Sequence, residues 1–463
     1  MILPLLVLLS SLLFSVGIVI GRTSFFRMVL HTMTMLNTIL DTHSTDQQKH
    51  PLLIRNLSNL LLSLFIFFCL IIGIGTLSLL PILIYINFDW LKLEQLDFDY
   101  PSYAAMLIGG AIPFVLFSFF KNKGDYSECS MLLHRMILEN GNIAKQLFSL
   151  EKKIFSSKIQ KPNPHFVIIS GLARSGTSAL TTLLHDSGTF HSLSYANMPF
   201  LLSPNFWKKI YTPTTKHLKE RAHGDKVLFG YTTIEALEEF YFKAYLHDGF
   251  IQEKTLSEHA LNEKTYTNYL YYQQLLQDNA GTTYLAKNNN FILRYRSLRT
   301  FNKDFKVIFI FRHPIEHAYS LFRQHQRFCR LHQTDPFSLE YMNWLGHHEF
   351  GTNLKYFQFA TTNIPVDANP DTMEYWLHTW INYYTIILNL EDDPNRMLLQ
   401  YENFLQDPDK VIDALSEFTG LQIPIRKLEP FKNDNSYEGE INRVLKEECL
   451  ELYKKLVARK VSI

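Results

Sequence analysis

Two short segments carry groups suited to holding anions. The first is Gly171-Leu172-Ala173-Arg174-Ser175-Gly176-Thr177-Ser178. It has the glycine spacing and final hydroxyl of a phosphate-binding loop, G-x4-G-K-[S/T], but Thr177 stands at the lysine position. In nucleotide triphosphatases that lysine reaches the β- and γ-phosphates while the hydroxyl holds Mg²⁺. Here Arg174 supplies the cation, and Ser175, Thr177 and Ser178 supply hydroxyl donors. A guanidinium suits planar, two-point contact with an oxyanion. The loop is therefore expected to hold an anion without a dedicated γ-phosphate lysine, and ATP hydrolysis fits it poorly. The second segment is Arg312-His313-Pro314, with Ser320 two turns further on. Taken together, the two segments suggest a ligand with two separated anionic groups.

These groups need elements to position them. His165 to Ser170 is a short apolar, β-branched run that suits a buried parallel strand. After the loop, Ala179, Leu180, Leu183 and Leu184 recur at helical spacing until Gly188 offers a stop. Strand, glycine-bounded loop and helix in that order would aim backbone N–H groups and the helix dipole at an anion. The alternative is an ordinary strand-to-helix turn. Phe305 to Phe311 is a second buried-strand run, and Pro314 suits the first helical position because its missing N–H would be unpaired anyway.

The N-terminal part has another composition. Residues 1–20, 57–88 and 100–120 contain no charge, and each is about long enough to cross a bilayer at about 1.5 Å per residue. This predicts a membrane region over residues 1–123 with about three transmembrane helices, with Pro81 marking a kink or end of the second. A catalytic domain over 124–463 follows. A cleaved signal peptide fits the first run less well, because no Lys or Arg precedes it. Phe26, Leu30, Met33, Leu36 and Leu40 form an apolar stripe that suits a helix along the membrane surface or ordinary core. Arg22, Arg27, Lys49 and Arg55 lie between the first two runs, and Lys121 and Lys123 follow the third. By the positive-inside rule the large domain is cytoplasmic, as in a multi-pass protein of a bacterial inner membrane.

A formal net charge of +1 gives no bulk field for nucleic acid. The four cysteines, Cys69, Cys129, Cys329 and Cys449, show neither paired nor metal-ligand spacing. Adjacent His347 and His348 point apart on a helix or strand, so with Glu349 they suit a hydrogen-bond network or an acceptor wall better than a metal site. No metal is expected. Glu235, Glu238 and Glu239 have the helical spacing of a solvated face, and the aromatic stretches 240–245 and 376–384 that of core.

The two anion-holding segments, in this order and separation, resemble the sulfotransferase superfamily. Arg174-Ser175-Gly176-Thr177-Ser178 is similar to the family's R-S-G-T-[S/T] loop, which cradles the 5′-phosphosulfate of 3′-phosphoadenosine 5′-phosphosulfate. Arg312, Pro314 and Ser320 match its R-x-P-x5-S element for the 3′-phosphate. Tyr401-Glu402-Asn403-Phe404, Asp407-Pro408 and Phe418-Thr419-Gly420 look like a late family segment. The stretches at 197–207, 220–225, 287–290 and 345–351 resemble a bacterial subgroup.

The resemblance implies an α/β fold with a P-loop-like parallel sheet flanked by helices, here preceded by an all-α transmembrane region. It also implies sulfuryl transfer from that donor to an acceptor hydroxyl on a lipid, a glycan or a small molecule. Lys287 would face the sulfuryl group, although relatives with K-N-P or K-T-P differ from Asn289. Some sulfotransferases carry a glutamate base after the first helix, whereas Ser192 to Asn197 here has no carboxylate. The acid–base-rich stretch Glu220-Arg221-Ala222-His223-Gly224-Asp225 supplies alternatives, His223 first and Glu220 or Asp225 as rivals. A nucleotide kinase or phosphotransferase, or a non-catalytic membrane scaffold, are the competing readings.

Overall fold

A computed structural model describes residues 2–41, 44–87, 100–119, 128–159, 163–211, 219–220, 228–229, 233–246, 249–278, 281–360, 369–424 and 437–460. The chain divides into two compact units, Met1–Ile143 and Ala144–Ile463.

The first unit is helical. Helix α1 spans Ile2–Leu40, α2 spans Asp46–Asn87 and α3 spans Tyr100–Phe119. Where the sequence suggested a first span and a separate surface stripe, one unbroken helix runs through both. Helix α2 likewise continues through Pro51 and Pro81. The fixed φ of proline is itself helical, and an otherwise apolar helix absorbs the lost N–H. The helices approach closely through a small residue. A Cβ at Gly109 of α3 would come within 2.5 Å of the Leu8 carbonyl of α1. Asn56 of α2 also donates to Thr38 of α1 at 2.8 Å. Phe65 and Ile72 are 66% and 65% exposed, so the outer face of α2 is apolar. Among the described residues, Leu3–Leu40 and Asp46–Ile84 are long and apolar enough to cross a membrane.

The second unit is built on a five-stranded sheet, β1 (Phe166–Ser170), β2 (Phe190–His191), β3 (Thr283–Lys287), β4 (Lys306–Phe311) and β5 (Arg396–Gln400). The order is β2-β3-β1-β4-β5 and every pairing is parallel. All five residues of β1 are buried, which explains its unbroken apolar run. Val167 and Ile169 pack with Leu180 and Leu184 of the following helix and with Ile308, Ile310 and Leu399 of neighbouring strands. Burying each such side chain contributes about 1.5–3 kcal/mol. The flanking helices used below are α4 (Thr177–Asp186), α5 (Glu239–Leu246), α6 (Glu263–Leu276), α7 (Pro314–Thr334), α8 (Met373–Leu388) and α9 (Tyr401–Gln406).

Strand order fixes where a ligand can bind. From β1 the chain passes to β2 on one side of the sheet, and from β4 it passes to β5 on the other. The connections diverge between β1 and β4, and the crevice outside the strand ends at such a switch point is the usual ligand position. Ser170, Lys287 and Phe311 are the last residues of β1, β3 and β4, so both loops and Lys287 share one edge.

Candidate functional site

The loop after β1 takes a backbone that its glycines permit. Gly171 has φ 152° and Gly176, which caps α4, has φ 102°. A Cβ on Gly171 would lie 2.6 Å from the Ile310 carbonyl, and one on Gly176 would strike the Tyr401 ring. Between them Arg174 has φ 69°, a left-handed conformation that costs a side-chain-bearing residue about 1–2 kcal/mol. Among the described residues it is the one non-glycine with positive φ. Such strain persists where surrounding contacts over-determine it.

Those contacts join the two segments. Arg174 Nε donates to Ser320 Oγ at 3.3 Å, across the crevice from the first loop to α7. Pro314 occupies the first turn of α7, as its chemistry predicts. Arg312 is buried, and its Nε has no hydrogen-bond partner among the described residues. Its Nη2 lies 3.4 Å from Glu316, and its guanidinium packs over the Tyr401 ring at 5.3 Å. A buried guanidinium with an unused N–H, beside loops where any Cβ would intrude, fits a polyanionic ligand. Beneath the loop, Tyr383 bridges Ser170 at 3.3 Å and the Asn289 carbonyl at 3.0 Å, and Tyr384 donates to the Ile310 carbonyl. Burial raises both phenols, so they remain neutral donors. The aromatic stretches are core, as expected, but two of their hydroxyls brace the crevice.

Lys287 closes the other side. Its Nζ donates to Ser178 Oγ at 2.8 Å and to Glu235 Oε2 at 2.7 Å, with both side chains of the ion pair about nine-tenths buried. The expected solvated face of glutamates does not exist. Glu235, Glu238 and Glu239 are 9%, 1% and 1% exposed, and each has its own partner. Glu239 forms a two-point pair with the fully buried Arg294. Glu238 accepts from Tyr269 at 2.6 Å, from Tyr284 at 2.7 Å and from Asn288, the residue after Lys287, at 2.9 Å. Burial pushes Glu238 above the ordinary carboxylate range, opposed by these three donors. Periodicity cannot separate this arrangement from a solvated face, because the partners come from distant segments.

Asn289 donates to Glu349 at 3.2 Å, His347 Nε2 contacts the Ala236 carbonyl, and His348 Nδ1 contacts that of Asn353. The two histidines thus point apart into separate hydrogen bonds. Of the base candidates, His223 and Asp225 lie outside the described residues. Glu220 is placed by backbone alone, in the ladder of Lys219–Glu220 with Leu228–Phe229. Among the described residues no group of three His, Cys, Asp or Glu is arranged to hold a metal ion.

Residues 164–461, well over half of the chain, match the family model described as "Sulfotransferase domain". No curated protein sequence matches. Solved structures similar to the chain include a sulfotransferase of Mycobacterium tuberculosis H37Rv, at 15% identity over 67% of this chain and 82% of that one, with a TM-score of 0.37. Another is from Alicyclobacillus acidocaldarius, at 15% identity over 65% and 94%, with a TM-score of 0.31. A third is from Mycobacterium avium, at 13% identity over 77% and 82%, with a TM-score of 0.36. The chain belongs to the sulfotransferase family, and the enzyme is a sulfotransferase.

Proposed function

We propose that the enzyme transfers the sulfuryl group of 3′-phosphoadenosine 5′-phosphosulfate to an acceptor hydroxyl. The observation that supports this donor is the contact between Arg174 and Ser320, which brings the two anion-holding segments to one crevice. Arg174, Ser175, Gly176, Thr177 and Ser178 would hold the 5′-phosphosulfate, and Arg312 with Ser320 the 3′-phosphate. The donor supplies the sulfuryl group and a bisphosphate leaving group. Arg174, Lys287 and the loop N–H groups would stabilise charge developing on the bridging oxygen.

The acceptor proton needs a carboxylate or imidazole within reach. His223 and Glu220 are the candidates named from sequence, and Glu235 is the one that the geometry favours. It is paired with Lys287, which also donates to Ser178 at the crevice, and it would supply the carboxylate that Ser192 to Asn197 lack. In the transfer the hydroxyl proton passes to the Glu235 carboxylate as the oxygen bonds to sulfur. The bond from sulfur to the bridging oxygen breaks, and Lys287 follows the charge to that oxygen.

The apolar N-terminal helices support a membrane-anchored enzyme, multi-pass, with its catalytic unit on the cytoplasmic face of a bacterial inner membrane. Such tethering favours a lipid or lipid-linked glycan as acceptor over a small molecule. The test is to supply sulfur-labelled donor and host membrane extract to the full-length enzyme. A labelled, alkali-stable lipid or glycolipid is expected, whereas label confined to water-soluble products contradicts the acceptor class.

A further inference from the structure

The left-handed conformation of Arg174 needs something to hold it, and the crevice floor supplies a residue that neither anion segment requires. His317, one turn into α7, is fully buried, and its Nε2 lies 2.7 Å from the carbonyl oxygen of Ala173. A carbonyl only accepts, so Nε2 carries the hydrogen and donates it. The other ring nitrogen, Nδ1, is buried with no partner among the described residues, which places the proton of the neutral ring on Nε2. Burial brings the imidazole down to about 3, against the pull of the Ala173 hydrogen bond and with the charges of Arg312 and Arg174 also opposing a second proton. Tyr384 packs beside the imidazole, at 6.2 Å between ring centroids.

The bond acts on one peptide unit. In a trans peptide the C=O of residue 173 and the N–H of residue 174 point in opposite directions. Pinning the Ala173 carbonyl toward α7 therefore aims the Arg174 N–H away from that helix, and it sets the φ at which the Arg174 side chain meets Ser320. If the peptide turned over, Arg174 would relax to negative φ and its N–H would reverse direction to face α7. We infer that His317 is a positioning residue for the donor, which locks the Ala173–Arg174 peptide in its anion-holding orientation through a single Nε2–H donation. The inference rests on the donor assignment above and concerns how that site is kept ready before the donor arrives.

Full-length enzyme in detergent, titrated calorimetrically with 3′,5′-bisphosphoadenosine, tests it. His317→Leu fills the space but cannot donate, and binding should weaken about tenfold or more, the loss expected when a buried carbonyl is left unpaired. His317→Gln places an N–H where Nε2 stood, and should bind within about threefold of wild type. His317→Asn stops one methylene short and should behave like the leucine variant. In turnover assays the leucine variant should raise KM for the donor while saturating kcat stays within about threefold. If His317→Leu fails to fold, the Gln and Asn pair decides alone. Wild-type affinity in the leucine variant, or equal loss in Gln and Asn, would overturn the role of His317. A wild-type enzyme that does not bind the bisphosphate at all would instead refute the donor assignment.

Discussion

The two sides of the crevice are built by different means. The proposed donor side consists of contiguous segments: a loop after β1, and a strand end and first helical turns after β4. Its chemistry lies in residues close in sequence, and the glycines, Arg174 and Pro314 each have a local reason to be where they are. The proposed acceptor side is assembled from afar. Lys287 ends β3, Glu235 precedes α5 by a few residues, and Ser178 lies in the first turn of α4. The difference shows which chemistry a motif can encode. Anion binding by backbone N–H groups is a property of one turn, whereas placing a carboxylate against a lysine is a property of packing.

The largest expected effect would break the acceptor side alone. Glu235→Gln keeps the size of the side chain and one acceptor for Lys287 but removes the base, so turnover should fall by about 10²–10⁴. Affinity for 3′,5′-bisphosphoadenosine should change little. His223→Ala and Glu220→Ala in the same assay test the rival assignments. Normal turnover in Glu235→Gln with loss in His223→Ala would move the base to the histidine.

The next would break the donor side alone. Arg174→Ala removes a charge-assisted contact of about 1.5–3 kcal/mol, so donor affinity should drop about tenfold or more. Joint replacement of Arg312 and Ser320 by alanine should instead erase the preference for 3′-phosphorylated nucleotide over adenosine 5′-phosphosulfate. If both nucleotides weakened equally in the double variant, the second segment would be structural.

The sequence made much of the donor side and little of the other legible, for a physical reason. Two apolar runs, His165 to Ser170 and Phe305 to Phe311, announce buried parallel strands, and a glycine-bounded turn before a helix announces an anion site. Glu235, Glu238 and Glu239 carry the same spacing whether they face water or the lysine, tyrosines and arginine that they meet here. His317 escaped for a related reason. Its partner is a backbone carbonyl 144 residues away, and a carbonyl leaves no mark in sequence. In the first unit, Pro81 offered a kink or an end, and the helix continues through it.

A smaller effect concerns pH, and it sharpens the contrast between buried polar groups and exposed ones. Burial brings His191 down to about 4, and His259 and His348, like His317, down to about 3. The unfolded chain takes up these protons as pH falls through about 6.5, and the folded enzyme does not until about 3–4. Stability contributed by the neutral rings is therefore complete above pH about 6.5 and is lost as pH falls toward 4, by up to about 1.4 kcal/mol per pH unit for each ring. Glu238 acts in the opposite sense, because its raised value lets the folded state bind a proton before the unfolded one. These four rings, with His134, His325 and His332 also lowered by burial, outweigh Glu238 and should lower the melting temperature steadily between pH 6.5 and 4, and a flat profile would contradict the buried neutral histidines. The smallest effect is a control on the surface. Arg296 and Glu258 pair at 3.0 Å with the arginine 57% exposed, so Arg296→Ala should cost no more than about 0.5 kcal/mol and leave donor binding unchanged.

The central claim, that the crevice between β1 and β4 is built for a nucleotide with a phosphate at each end of its ribose, is tested most directly by one competition. Full-length enzyme is titrated with 3′,5′-bisphosphoadenosine and, separately, with Mg-ATP, and the two affinities are compared before and after Arg312 and Ser320 are replaced. Tighter binding of the bisphosphate by the wild-type enzyme, collapsing to parity in the double variant, is the predicted result. Tighter binding of Mg-ATP, or a preference that survives the double replacement, would contradict it.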